Sequence, residues 1–109
     1  MKNKTILITG ATSGIGYATA LAFSKLGANL ILCGRREEKL IQLSKKVKVP
    51  NKILKFDVRD NLKVKTSINS LPLKFKKIDI LINNAGNAHG LDSIDEANID
   101  DWDAMIDSN

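Results

Sequence analysis

Apolar residues arrive in short blocks along this chain, and their spacing switches between two periods. Thr5 to Thr9 is a β-branched and apolar run stopped by Gly10, and from Ile15 to Leu26 apolar residues recur at helical spacing until Gly27 closes the pattern. The spacing predicts a strand, a glycine turn and a helix. Asn29 to Cys33 predicts a second strand and Arg36 to Val47 a helix patterned by Leu40, Leu43 and Val47. Ile53 to Phe56 predicts a third strand, with Pro50 punctuating the join. Asn61 to Leu71 reads as a weaker helix, Ile78 to Ile82 as a fourth strand, and Asn98 onward as the opening of another helix. Asn87 to Ala97 is the single long loop, and the predicted order is β-α-β-α-β-α-β-α.

Strands that read as continuous apolar runs and alternate with helices belong to a parallel sheet covered on both faces, with right-handed crossovers. The expected fold class is therefore α/β, the N-terminal half of a doubly wound parallel sheet with strand order 3-2-1-4. Internal repeats, low-complexity tracts and linkers are absent, so residues 1–109 are expected to form a single, incomplete domain.

Composition narrows the class. A chain of 109 residues with 43% hydrophobic and 27% charged residues is an ordinary globular sequence, which argues against disorder. Runs such as Leu30 to Cys33 and Ile80 to Ile82 fall far short of the roughly 20 apolar residues that a membrane helix needs. The apolar stretch after Lys4 is cut off by Gly10 and Ser13 before it could act as a secretory signal, and a cytoplasmic location is expected. Cys33 is the sole cysteine, which excludes an intrachain disulfide, and its apolar run makes it a small buried hydrophobe. Charge is asymmetric: all 17 Lys and Arg precede residue 78, while eight of the 12 acids follow Lys77. The basic residues are scattered along helical faces without interleaved aromatics, a solvated surface and not a nucleic-acid site. No cluster has metal-ligand spacing.

The turn Thr9-Gly10-Ala11-Thr12-Ser13-Gly14-Ile15-Gly16 joins the first strand to the first helix. Glycines there let the backbone turn sharply and approach a pyrophosphate without a Cβ in the way. The helix N-terminus adds unpaired N–H donors and a partial positive charge. The spacing is Gly-x3-Gly-x-Gly and not the more common Gly-x-Gly-x-x-Gly, and in isolation such a turn could be merely a tight loop. Its position after a strand and before a helix points to a dinucleotide.

In that setting the segment resembles the short-chain dehydrogenase/reductase family, whose Thr-Gly-x3-Gly-Ile-Gly turn is matched by Thr9 to Gly16. The resemblance implies a Rossmann-type domain in which Thr9, Gly10, Thr12, Ser13, Gly14, Ile15 and Gly16 hold the dinucleotide. Asp57 and Val58 match the family's adenine site, the carboxylate accepting from the exocyclic amine and the next backbone amide donating to the ring. A helix N-cap is the competing reading, better suited to Asp60 than to Asp57. Asn83-Asn84-Ala85-Gly86 matches the family's Asn-Asn-Ala-Gly motif, in which small residues such as Ala85 and Gly86 let the ribose lie close while Asn83 braces neighbouring strands. Trp102 and Met105 lead to Asn109, which resembles the family's active-site asparagine. These matches span the whole chain.

The second strand ends in Gly34, where an NAD site usually has a carboxylate that binds the ribose hydroxyls and repels a 2′-phosphate. Arg35 and Arg36 follow, and a guanidinium pairs with a phosphate through charge-assisted, often bidentate hydrogen bonds. NADP is therefore expected over NAD. Arg36, with Glu37 and Glu38, also reads as the opening of a charged helix.

Catalysis in the family, as the resemblance implies, uses Ser, Tyr, Lys and Asn, the Tyr as general acid and base. Only Asn109 has a counterpart. The sole tyrosine, Tyr17, is followed four residues later by Leu21, so it forms no Tyr-x3-Lys and reads as a helix surface or packing residue; His89 reads as a solvated loop residue. The wording around Cys33 to Leu40 and from Ile78 to Gly86 resembles the NADP-dependent serine and 3-hydroxy acid dehydrogenase branch. The expectation is an N-terminal fragment of such an oxidoreductase, inactive alone and acting on a small-molecule substrate only when further sequence completes it. A non-catalytic nucleotide-binding or interaction module, or a decayed gene product, is the alternative. The fourth strand should leave an apolar edge open to association.

Overall fold

A computed structural model describes residues 1–84. They form strands β1 (Thr5–Thr9), β2 (Asn29–Gly34), β3 (Asn51–Lys55) and β4 (Ile80–Asn83), with helices α1 (Gly14–Lys25), α2 (Glu37–Lys46), α3 (Asn61–Asn69) and α4 (Leu73–Lys76). The sheet order is β3-β2-β1-β4 and every pairing is parallel, as the apolar pattern predicts. Ala85, Gly86, His89, the loop 87–97, the helix expected from Asn98 with Trp102 and Met105, and Asn109 lie outside the described residues.

All five residues of β1 are buried, because the strand sits inside the sheet with both faces covered. Its side chains alternate between two cores. Ile6 and Ile8, with Leu30 and Leu32 of β2, meet Ala20 of α1 and Leu40 and Leu43 of α2 on one face. Leu7, Ile31 and Cys33 meet Val64 and Ile68 of α3, Phe75 of α4 and Ile78 on the other. The chain steps from β1 through β2 to β3 in one direction and then returns past β1 to β4. Right-handed connections must therefore put α1 and α2 on one face and α3 and α4 on the opposite one.

Three boundaries differ from the pattern's prediction by two residues, each for a local reason. β3 begins at Asn51 and not Ile53, because Asn51 pairs with Leu30 and its side-chain amide donates to the carbonyls of Ser44 and Val49. The expected helix 61–71 ends at Asn69, and after Pro72 the short α4 takes over, seating Phe75 in the core. β4 begins at Ile80, because Ile78 is a core residue and Asp79 clamps the strand's entry. The Asp79 carboxylate accepts from the Thr5 N–H at 2.8 Å while the Asp79 N–H donates to the Thr5 carbonyl at 2.8 Å. Among the described residues no helix is long and apolar enough to cross a membrane.

Cys33 is fully buried on β2, and burial pushes its thiol well above the ordinary cysteine range. Because the thiolate is the reactive form, Cys33 should resist iodoacetamide in buffer near neutral pH and become alkylated only in denaturant. Rapid native labelling, followed by mass spectrometry, would contradict this packing.

Candidate functional site

Parallel strands deliver all their C-terminal ends to one edge, and the chain reverses direction between β1 and β4, so a crevice opens where α/β folds bind ligands. A cavity of about 410 Å³ lies there, within the roughly 300–1,000 Å³ typical of small-molecule sites. Three turns and a strand end build it: Gly10, Thr12 and Ser13 after β1, Gly34 to Arg36 after β2, Phe56 to Arg59 after β3, and Asn84 after β4.

The glycine turn is held by its own hydrogen bonds. Gly10 takes φ 59°, the left-handed region that glycine tolerates, and its carbonyl accepts from both the N–H and the hydroxyl of Ser13 at 3.2 and 2.8 Å. The Ala11 N–H donates to the Cys33 carbonyl at 3.0 Å, tying the turn to β2. Gly16 lies against this turn so closely that a Cβ on it would stand 2.0 Å from the Gly10 oxygen. Gly14 is the opposite case, with nothing within 4 Å of a Cβ built there. Gly16 therefore serves packing, whereas Gly14 keeps open the space before the helix N-terminus. Ser13 is the N-cap of α1 but makes no side-chain cap, which leaves first-turn N–H donors for a ligand or water. Ile15 is 75% exposed beside them.

After β2 no carboxylate stands at position 34. Arg35 and Arg36 both line the cavity, and Arg36 also occupies the N-cap position of α2 without capping it through its side chain, so both readings of this residue meet in one place. Arg35 Nη1 lies 4.0 Å from Asp57 Oδ2.

Asp57 is more engaged than the sequence suggests. Arg59, which the sequence reading passed over, grips it with a fork: Nε to Oδ1 at 3.0 Å and Nη2 to Oδ2 at 2.7 Å, while the Arg59 N–H donates to Oδ1 at 2.9 Å. Hydrogen bonds from the Arg59 side chain and then its backbone, with minor help from the charge of Arg35, hold the Asp57 carboxyl well below the usual carboxylate range. Asp57 is thus ionised at any physiological pH. The N-cap role falls to Asp60, whose Oδ1 accepts from the Lys63 N–H at 3.1 Å.

At the fourth strand the two asparagines divide the work. Asn83 Oδ1 accepts from the Thr9 hydroxyl at 2.8 Å, and Thr9 Oγ1 accepts from the Asn84 N–H at 3.0 Å, so Thr9 and Asn83 stitch β1 to β4 and neither lines the cavity. Asn84 does line it. Its Nδ2 is buried with no hydrogen-bond partner among the described residues, a donor that a ligand oxygen would satisfy. The sequence signal for Asn84 was its place one residue beyond a strand that sends Asn83 sideways.

The structure thus brings Gly10, Thr12, Ser13, Arg35, Arg36, Asp57 and Val58 around one cavity. Thr9, Gly14, Ile15, Gly16 and Asn83 stand outside its wall, and Ala85 and Gly86 outside the described residues. Clear space at Gly14, an unsatisfied amide on Asn84, two guanidiniums and an ionised acceptor suit a phosphorylated nucleotide carrying an amine.

Comparison with known proteins gives the family. A profile of the family described as short chain dehydrogenase matches residues 4–109. The chain is 45% identical to serine 3-dehydrogenase of Rhizobium radiobacter, with 96% of the chain and 42% of the relative covered. It is 46% identical to NADP-dependent 3-hydroxy acid dehydrogenase of Schizosaccharomyces pombe, covering 100% of the chain and 44% of that protein. The crystal structure of serine dehydrogenase from Escherichia coli superposes with a TM-score of 0.72 at 36% identity, over 94% of this chain and 47% of that one. The chain therefore spans less than half the length of the curated relatives it matches. Fold, glycine turn and profile agree that it belongs to the short-chain dehydrogenase family, of which it covers the N-terminal portion.

Proposed function

We propose that this chain is the cofactor-binding portion of an NADP-dependent oxidoreductase acting on a small hydroxy acid or a related alcohol. One observation carries the cofactor assignment: the cavity that receives the glycine turn also receives Arg35 and Arg36 directly after Gly34, with no carboxylate at that strand end. The turn from Gly10 to Gly16 and the α1 N-terminus would hold the pyrophosphate, Arg35 with Arg36 the 2′-phosphate, Asp57 and Val58 the adenine, and Asn84 a ribose or carbonyl oxygen. A bound nicotinamide supplies hydride transfer. The substrate class is supported by relatives whose names specify serine and 3-hydroxy acids.

Hydride transfer from a carbinol carbon also needs a base for the hydroxyl proton, and these 109 residues contain no Tyr-x3-Lys. Tyr17 is no substitute: its hydroxyl accepts from Lys46 Nζ at 2.7 Å, pinning α1 to α2, and it does not line the cavity. The 109-residue chain is thus expected to bind NADP(H) without turning over serine or 3-hydroxybutyrate. Absorbance at the NADPH band, followed with saturating NADP and each hydroxy acid, tests this. NADPH formation that Asn109→Ala abolishes would overturn it.

A further inference from the structure

The nucleotide reading above supplies the ligand here, and what the structure adds is a role for Arg59. An ionised carboxylate offers about four lone-pair positions. Arg59 occupies three of those on Asp57: its N–H and Nε both approach Oδ1, at 2.9 and 3.0 Å, and Nη2 approaches Oδ2 at 2.7 Å. One acceptor position remains, on Oδ2. Arg35 Nη1 stands 4.0 Å from that oxygen, close enough for attraction but too far for a hydrogen bond. Because Arg59 is only two residues from Asp57 and their turn is closed by the Asp60 N–H donating to the Asp57 carbonyl at 2.9 Å, the fork is short and geometrically constrained. Both residues line the cavity.

We propose that Arg59 is a positioning residue that locks the Asp57 carboxylate so that one lone pair of Oδ2 accepts from the exocyclic amine of the bound purine, making the site selective for a 6-amino over a 6-oxo base. A carboxylate free to rotate could present either oxygen and could turn away from an oxygen-bearing base. A carboxylate clamped by a planar fork cannot, and a 6-oxo purine then meets an acceptor with an acceptor. Lysine cannot reproduce the effect, since it carries the charge without the fork.

The test is fluorescence titration of the full chain with NADPH and with its hypoxanthine analogue, which replaces the amine by oxygen. Wild type is expected to favour NADPH by about tenfold or more, the scale of a hydrogen bond to a charged group. Arg59→Ala and Arg59→Lys should each shrink that preference severalfold, as should Asp57→Asn, leaving only the part set by the Val58 N–H at the purine ring. Arg59 is largely exposed, so circular dichroism of the variants should match wild type. A preference that survives undiminished in Arg59→Ala, or that Arg59→Lys fully preserves, would overturn the positioning role while leaving the nucleotide site intact. Equal binding of both compounds by wild type would overturn it as well. Failure of wild type to bind either compound would remove the nucleotide reading and this inference with it.

Discussion

Gly16→Ala should lower the stability of the chain by at least about 2 kcal/mol, roughly 8 °C or more in thermal midpoint for a domain of this size. The new Cβ would stand 2.0 Å from the Gly10 oxygen, 2.8 Å from the Gly10 carbonyl carbon and 3.1 Å from the Ala11 Cα. All three are backbone atoms, and the carbonyl is fixed by two hydrogen bonds from Ser13, so nothing flexible can give way. Relief requires α1 to lift from β1, which uncovers part of the core around Ala20 and Ile8. Gly14→Ala is the matched comparison. Its Cβ meets nothing within 4 Å, so stability should hold, while nucleotide affinity should fall if the pyrophosphate lies over the α1 N-terminus as proposed. Thermal unfolding of both variants decides the matter, and equal midpoints would refute the division of roles between the two glycines.

The second large effect is expected at the end of β2. Gly34→Asp should reverse the cofactor preference, weakening NADPH by tenfold or more, about 1.4 kcal/mol, while improving NADH. A Cβ at position 34 would lie 3.5 Å from Leu40 Cδ2 and 3.7 Å from Thr12 Oγ1, ordinary contacts that let the side chain enter without moving the backbone. The carboxylate would then face the 2′-position with the same sign as a phosphate and would draw Arg35 toward itself. Parallel titrations with both reduced cofactors read the outcome, and an unchanged ratio would mean that the end of β2 does not set specificity.

Much of the fold was legible because its signals are local and repeated. Four apolar blocks of strand length, separated by helical periods and turn residues, leave few alternatives to a parallel sheet; the order β3-β2-β1-β4 is the one expected of a doubly wound half, and handedness sets which face each helix covers. Boundaries were less legible because side-chain bonds beyond the apolar pattern decide them, as with Asn51 and Asp79. The site divides in the same way. Gly10, Arg35 and Asp57 could be placed by their positions at strand ends, since the topology brings those ends together. Whether a polar residue turns inward to brace the sheet or outward to the crevice depends on a single step of strand geometry. Thr9 and Asn83 share that bracing, while their neighbour Asn84 takes the cavity wall. Arg59 was missed because a two-residue spacing across a turn carries no periodic signal, although a carboxylate and a guanidinium that close in sequence have few ways to avoid each other.

An NADP site at the C-terminal ends of β1, β2 and β3, as proposed, should show in the affinity ratio of NADPH to NADH for wild type and Arg35→Ala, measured at one fixed salt concentration. Wild type should favour NADPH by at least about tenfold, and Arg35→Ala should weaken NADPH while leaving NADH nearly unchanged, because only the 2′-phosphate has lost its partner. Equal affinities in wild type, or an Arg35→Ala variant that binds NADPH as tightly as wild type, would rule out a 2′-phosphate site at Arg35.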